Sequence, residues 1–341
     1  MTDTHQYQRY LSQIETPTES HVMRYPWAAD IAIEQQAIFW PAEELGVEED
    51  EHDFRHGLGP SEKHGTLFAQ SILTKYEGMI GGDEFWGGRI AKLFPRPEIQ
   101  RMCACIANVE LNSHAPFYMI GNEVIGVATD EFYTQWQRDP ILPSRIAFMD
   151  EMSNHPDALV VTASLTFMEG AVLFSIFGYF KSFNSRGHNF IPHFGAGIDA
   201  SAKDENYHSQ ASAALFMTCR KERMEAGNHT EAQDQFLFKR IWDMAQTVYE
   251  HELRIIEILF ECGDSNVVRK AELIDFLQDR INVCLQRLGM SPMFNKATGE
   301  ISSWFYKQLS SVKMPDFFAS TQIQYRRDWK QYKLTFRGET A

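Results

Sequence analysis

From about His64 onward, apolar residues return every three or four positions, the spacing of one helix face. The runs 65–78 and 98–118 carry this pattern clearly, and Pro97 stands where a helix can start. Pro116 lies inside the second run and predicts a kink or a reshaped turn. Residues 145–185 read as one long, mostly apolar helical stretch. The Gly- and Pro-bearing residues 188–198 read as a loop, and 201–226 as helix again. Residues 232–261 and 267–288 read as long amphipathic helices. Ahead of all these, 31–40 reads as a short helix stopped by Pro41, and 46–62 as an acidic surface connection. Strand signals are nearly absent beyond a β-branched patch at 159–162. The pattern therefore predicts an all-α fold, a bundle whose helices bury apolar stripes against one another. The polar residues 1–25 read as a loose arm, 26–318 as the bundle domain, and 319–341 as a tail of aromatic and basic residues outside the core.

Composition narrows the function classes. Of 341 residues, 44% are hydrophobic, enough for a sizeable core. The net charge of −14 argues against a general nucleic-acid binder, which needs basic surface to neutralise phosphates, and against anionic membranes. The longest apolar stretch, near 171–180, is too short to span a bilayer and runs straight into Lys181. The polar N-terminus has no signal-peptide pattern. The five cysteines are scattered and form no CxxC pair, so they read as reduced thiols of a cytoplasmic protein. Cys103 and Cys105 lack the second half of a zinc site and read as small buried hydrophobes.

The chemistry lies where acids fall on apolar stripes, because an ionised carboxylate is costly to bury unless it is paired or bound to metal. Glu77 closes an apolar helical run. Glu110 and His114 are four apart and can share a face. Glu169 is the only charge between Asp157 and Lys181. Glu205 and His208 form a Glu-x-x-His pair. Four stretches thus offer four glutamates and two histidines, the ligand arithmetic of ferritin-like dimetal carboxylate proteins. Oxygen-rich ligation with imidazole suits iron or manganese. The bland alternative has half-exposed glutamates, a solvated Glu205–His208 face, and Glu169 paired to a buried arginine.

On these blocks the sequence resembles the small, radical-generating subunit of class I ribonucleotide reductase, over about residues 40–288. Tyr76-Glu77-Gly78-Met79-Ile80 is similar to that family's first-ligand segment, and the stretch from Glu110 to Tyr118 to its Glu-x-x-His-x-x-x-Tyr helix. Glu169-Gly170 is similar to its third-acid helix, and Asp204-Glu205-Asn206-Tyr207-His208 to its Asp-Glu-x-x-His block. The resemblance implies a ferritin-like bundle with two iron ions per chain, or manganese or a mixed pair. It implies that Tyr118, four residues after His114, carries a stable radical, walled off by residues such as Leu173 and Phe177. It implies a relay from Trp40, in Phe39-Trp40-Pro41-Ala42-Glu43-Glu44, through Asp204 to His114. It further implies a homodimer and a large catalytic subunit as partner, reached by the tail through Tyr332 or Tyr325, with Tyr332, nearer the end, preferred.

One departure bears on the site. Glu110 stands four residues before His114, where the family's usual spacing is three, and Leu111 occupies the strict position. A π-bulge absorbs one extra residue of this kind. The rivals are another di-iron oxidase on the same fold, acting on a small or lipid-like substrate without the Trp40–Asp204 relay, and a metal store or plain bundle.

Overall fold

The expected helices form wherever the apolar spacing is sustained, and local signals set their ends. The computed structural model describes residues 10–139, 141–295 and 299–311. Its α-helices are α1 (Pro26–Ala37), α2 (Pro60–Ile80), α3 (Arg89–Leu93), α4 (Pro97–Val109), α5 (Ala115–Ile125), α6 (Asp130–Thr134) and α7 (Ile141–Ser153). They continue with α8 (Ala158–Met168), α9 (Phe174–Ser182), α10 (Pro192–Glu225), α11 (Glu231–Leu259), α12 (Lys270–Arg287) and α13 (Glu300–Ser311). No strand occurs among the described residues, and the β-branched patch at 159–162 lies inside α8. Proline opens α1, α2, α4 and α10, where its missing N–H costs nothing. A capping box of Thr230 and Gln233 starts α11.

The long α10 packs along α8 and α9, α2 lies against α5 and α11, and α1 lies across α4. No helix among the described residues is long and apolar enough to cross a membrane. All five cysteines are free; Cys103, Cys105, Cys219 and Cys284 are buried and Cys262 is exposed.

Three stretches differ from the sequence reading, each through contacts with distant parts of the chain. The segment 188–198 is helical from Pro192, because the acidic connection caps it: Asp50 accepts from the backbone N–H groups of His193 and Phe194, and Asp53 from that of Ile191. The stretch 145–185 is three helices, not one. Apolar spacing does not register its break at 169–173, where Leu173 takes a left-handed φ of 68°. There Arg280 donates from Nε to the Gly170 carbonyl at 2.6 Å. Of the arm 1–25, the described part is anchored on the bundle: Ile14 is buried with its N–H on Glu222, Arg223 holds Glu15, and the Tyr25 hydroxyl donates to Glu222.

The break leaves no room for a side chain at Gly170, where a Cβ would come within 2.5 Å of both Cys284 Sγ and Ser209 Oγ. Gly170→Ala is therefore expected to destabilise the fold by about 1–3 kcal/mol through overpacking. A denaturant midpoint equal to that of the wild type would contradict this close packing.

Candidate metal centre

Four helical segments carry the six candidate ligands inward. Glu77 sits in the last turn of α2, and Glu110 and His114 bound the turn between α4 and α5. That turn is a π-helix, Glu110–His114, closed by the Ala115 N–H on the Glu110 carbonyl. The wider turn brings residues four apart into line, so the family spacing of three is replaced by a bulge that still points both side chains inward. Gly81 makes room for it, since a Cβ there would meet Glu110 Cβ at 2.5 Å. Glu169 caps the end of α8, and Glu205 and His208 lie one turn apart on α10.

The atoms fall into two overlapping sets. One is Glu77, Glu110, His114 and Glu205; the other is Glu110, Glu169, Glu205 and His208. His114 Nδ1 lies 2.9 Å from Glu110 Oε2, 3.0 Å from Glu205 Oε1 and 3.8 Å from Glu77 Oε2. His208 Nδ1 lies 2.6 Å from Glu110 Oε1, 3.7 Å from Glu169 Oε2 and 3.8 Å from Glu205 Oε2. Glu110 and Glu205 therefore give one oxygen to each set, as bridges do, while Glu77 and Glu169 each serve one set.

The outer face of each imidazole fixes its tautomer. His114 Nε2 is 3.2 Å from Asp204 Oδ2, a carboxylate oxygen that can only accept, so Nε2 carries the proton. His208 Nε2 is 3.0 Å from Gln35 Oε1, and Gln35 is held in that orientation because its Nε2 donates to Asp204 Oδ1 at 3.0 Å. Both Nδ1 atoms then present lone pairs to carboxylate oxygens. These atoms are buried, and Nδ1 of both histidines and both Glu110 oxygens have no hydrogen-bond partner. Lone pairs facing lone pairs repel unless a cation lies between them.

Electrostatics give the same answer. Among the described residues no lysine or arginine pairs with the four glutamates, which contradicts the alternative of a buried arginine on Glu169. Burial pushes the Glu77 and Glu169 carboxyls up, and the Glu205 charge adds to it, with Glu169 reaching about 8. Burial acts on Glu110 too, but the two histidines outweigh it and hold that carboxyl low. Glu205 is also held low: burial and the Glu110 charge oppose its ionisation, but the neighbouring Glu169 carboxyl and the His114 and His208 rings outweigh them. Burial alone would lower both histidines, yet the Glu110 charge raises them well above the ordinary value. The pocket thus draws in positive charge, which two divalent ions supply in the amount four carboxylates require. The residues fit a dimetal carboxylate site, and binding would release the protons that otherwise collect there.

Around this centre, Trp40 Nε1 donates to Asp204 Oδ2 at 2.8 Å and its ring stacks on His114 at a centroid distance of 5.6 Å. Ser113 Oγ donates to the Trp40 carbonyl. Tyr118 on α5 is fully buried, with Phe117 packed on its ring, and burial followed by the Glu77 charge raises its phenol well above the ordinary value. Leu173 and Phe177 are buried as well, and Phe177 packs on Phe174. Tyr325 and Tyr332 lie outside the described residues.

Two residues of the site carry no signal that the pattern could show. Gln35, uncharged on a short helix, sets the His208 tautomer. Trp86, in the Gly-rich link after α2, donates from its indole N–H to Glu169. Only a tryptophan next to paired glycines, in Phe85-Trp86-Gly87-Gly88, marks it in the sequence.

With this geometry in hand, four likenesses bear on it. The family model for "Ribonucleotide reductase, small chain" matches residues 19–300. A protein of Invertebrate iridescent virus 3, named as a ribonucleoside-diphosphate reductase small subunit, is 22% identical over 89% of this chain and 84% of its own. Among solved structures, the dimanganese(II)-NrdF of Streptococcus sanguinis superposes with a TM-score of 0.72 at 19% identity, covering 85% of this chain and 99% of that one. The ribonucleotide reductase R2 subunit of Clostridium botulinum superposes with a TM-score of 0.68 at 17% identity, covering 84% and 89%. At these identities the structures speak for the ferritin-like helical fold.

Proposed function

The chain belongs to the ribonucleotide reductase small-chain family, and on that premise we propose that it generates a radical on Tyr118 and relays it to a large catalytic subunit that reduces ribonucleotides. The observation that carries this reading is a continuous hydrogen-bonded line: His114 Nε2 and Trp40 Nε1 meet on one oxygen of Asp204. A di-iron oxidase acting on a small or lipid-like substrate would use the Asp204 contact to orient His114 but does not need its extension to Trp40.

Glu77, Glu110, His114, Glu169, Glu205 and His208 would hold the two ions. When bound and reduced, such ions supply the electrons that turn oxygen into an oxidant able to act on a phenol. The chain's own residues do the rest. The buried carboxylates bind and orient, Asp204 keeps both histidines in the ligating tautomer, and Phe117 shields one side of the Tyr118 ring. Trp40 and Asp204 form the first part of the exit route, and Tyr332, or Tyr325, continues it within a tail that contacts the large subunit. Two iron ions per chain are the first choice; the dimanganese neighbour makes manganese or a mixed pair the alternative. The small subunit would act as a homodimer in the cytoplasm.

Metal counting and electron paramagnetic resonance on protein loaded with ferrous iron and exposed to oxygen test this reading. About two irons per chain and a tyrosyl signal are expected. Tyr118→Phe is expected to keep the metals and lose the signal. An unchanged radical in that variant would show the assignment to be wrong.

A further inference from the structure

Beyond Tyr118 the interface of α2 and α5 is polar where a dry wall is expected. On α2, Thr66, Gln70 and Thr74 recur at four-residue spacing, and Gln70 lies two turns before the ligand Glu77, close to its face. On α5, Asn122 follows Tyr118 by one turn. The helices run past each other in opposite directions, so this strip continues the metal site outward by about 10 Å. The Gln70 amide reaches α5 beside Tyr118, since a Cβ on Gly121 would come within 2.5 Å of Gln70 Nε2. Ser201 on α10 adjoins the phenol from a third side.

Every polar side-chain atom of this strip is buried and without a hydrogen-bond partner. These are Thr66 Oγ1, both amide atoms of Gln70, Thr74 Oγ1 and both amide atoms of Asn122, together with the Tyr118 hydroxyl and Ser201 Oγ, which adjoin each other without reaching hydrogen-bond geometry. Gln70 and Asn122 are 0% exposed. A buried amide with neither its donor nor its acceptor met is costly, and native proteins satisfy the great majority of such groups. The groups are neutral and offer donors and acceptors together, which suits neither a cation nor an anion. It suits water, which makes about three hydrogen bonds at such sites.

We infer that the α2–α5 strip is an internal water site, in which ordered waters bridge Gln70, Asn122 and Ser201 to the Tyr118 phenol. The site gives the phenol oxygen a hydrogen-bond donor on the side away from the metal ligands. This inference goes beyond the radical reading and does not depend on it.

A crystal structure of the metal-loaded protein at a resolution that shows ordered solvent is the first test. About two or three waters are expected in the strip, one of them within hydrogen-bonding distance of the Tyr118 oxygen. Direct pairing of the Gln70 and Asn122 amides with no solvent between them and the phenol would overturn the inference. In solution, oxygen-17 relaxation dispersion should detect the same long-lived waters and lose about two of them in Asn122→Leu or Gln70→Leu. An unchanged dispersion in a folded leucine variant also counts against it. Should neither variant fold, the wild-type crystal decides alone.

Discussion

Glu205→Ala is expected to strip both metal ions from the protein, whereas Glu77→Ala is expected to cost only one. The difference follows from the two oxygens of Glu205, which reach His114 at 3.0 Å and His208 at 3.8 Å and so belong to both ligand sets. Glu77 approaches only His114. Loss of even an outer partner of a metal ligand typically costs about 10–100-fold in affinity, and loss of a bridging ligand should exceed that at both ions. Glu205 is the better bridge to test, because it sits on the regular helix α10, while Glu110 forms part of a π-turn whose shape could change with it. Metal content after dialysis, with circular dichroism to show that the bundle persists, checks the expectation. Equal losses in the two variants would mean that Glu205 does not bridge.

The six candidate ligands are legible in the sequence because burying them is costly. A lone glutamate in the long apolar run between Asp157 and Lys181 has to be explained by something positive, and Glu169 was found that way. Two acid–histidine pairs at helical spacing supplied the rest, and the four-residue gap from Glu110 to His114 asked for the extra residue that the π-turn absorbs. What stayed hidden is neutral or irregular. Gln35 and Trp86 act by donor geometry, which leaves no trace in hydrophobic spacing. The break after Glu169 is held by Arg280, over a hundred positions away in the chain, so no local window contains its cause. The N-terminal arm read as loose because it is polar, yet its contacts with Glu222 and Arg223 are polar too.

Asp204→Asn is expected to lower affinity by about 10–100-fold at one ion, on the His114 or the His208 side according to which way the new amide turns, because the Asp204 hydrogen bonds reach both histidines. Asp204 accepts from three donors: Trp40 and His114 on Oδ2 and Gln35 on Oδ1. Asparagine has one oxygen and must turn its NH2 toward one of these donor sets. Facing Trp40 and His114, the NH2 strands two buried donors, each costing about 1–3 kcal/mol. Facing Gln35, it favours a flip of that amide, which then presents Nε2 to His208 Nε2 and pushes the His208 proton onto Nδ1, where the metal should bind. Gln35→Leu should then weaken the His208 ion alone, and Trp40→Phe should leave metal binding intact while losing reductase activity with the large subunit. Competition against a chelator of known affinity separates these cases. Wild-type metal affinity in Asp204→Asn, with activity gone, would confine Asp204 to the relay and remove it from the machinery that sets the histidine tautomers.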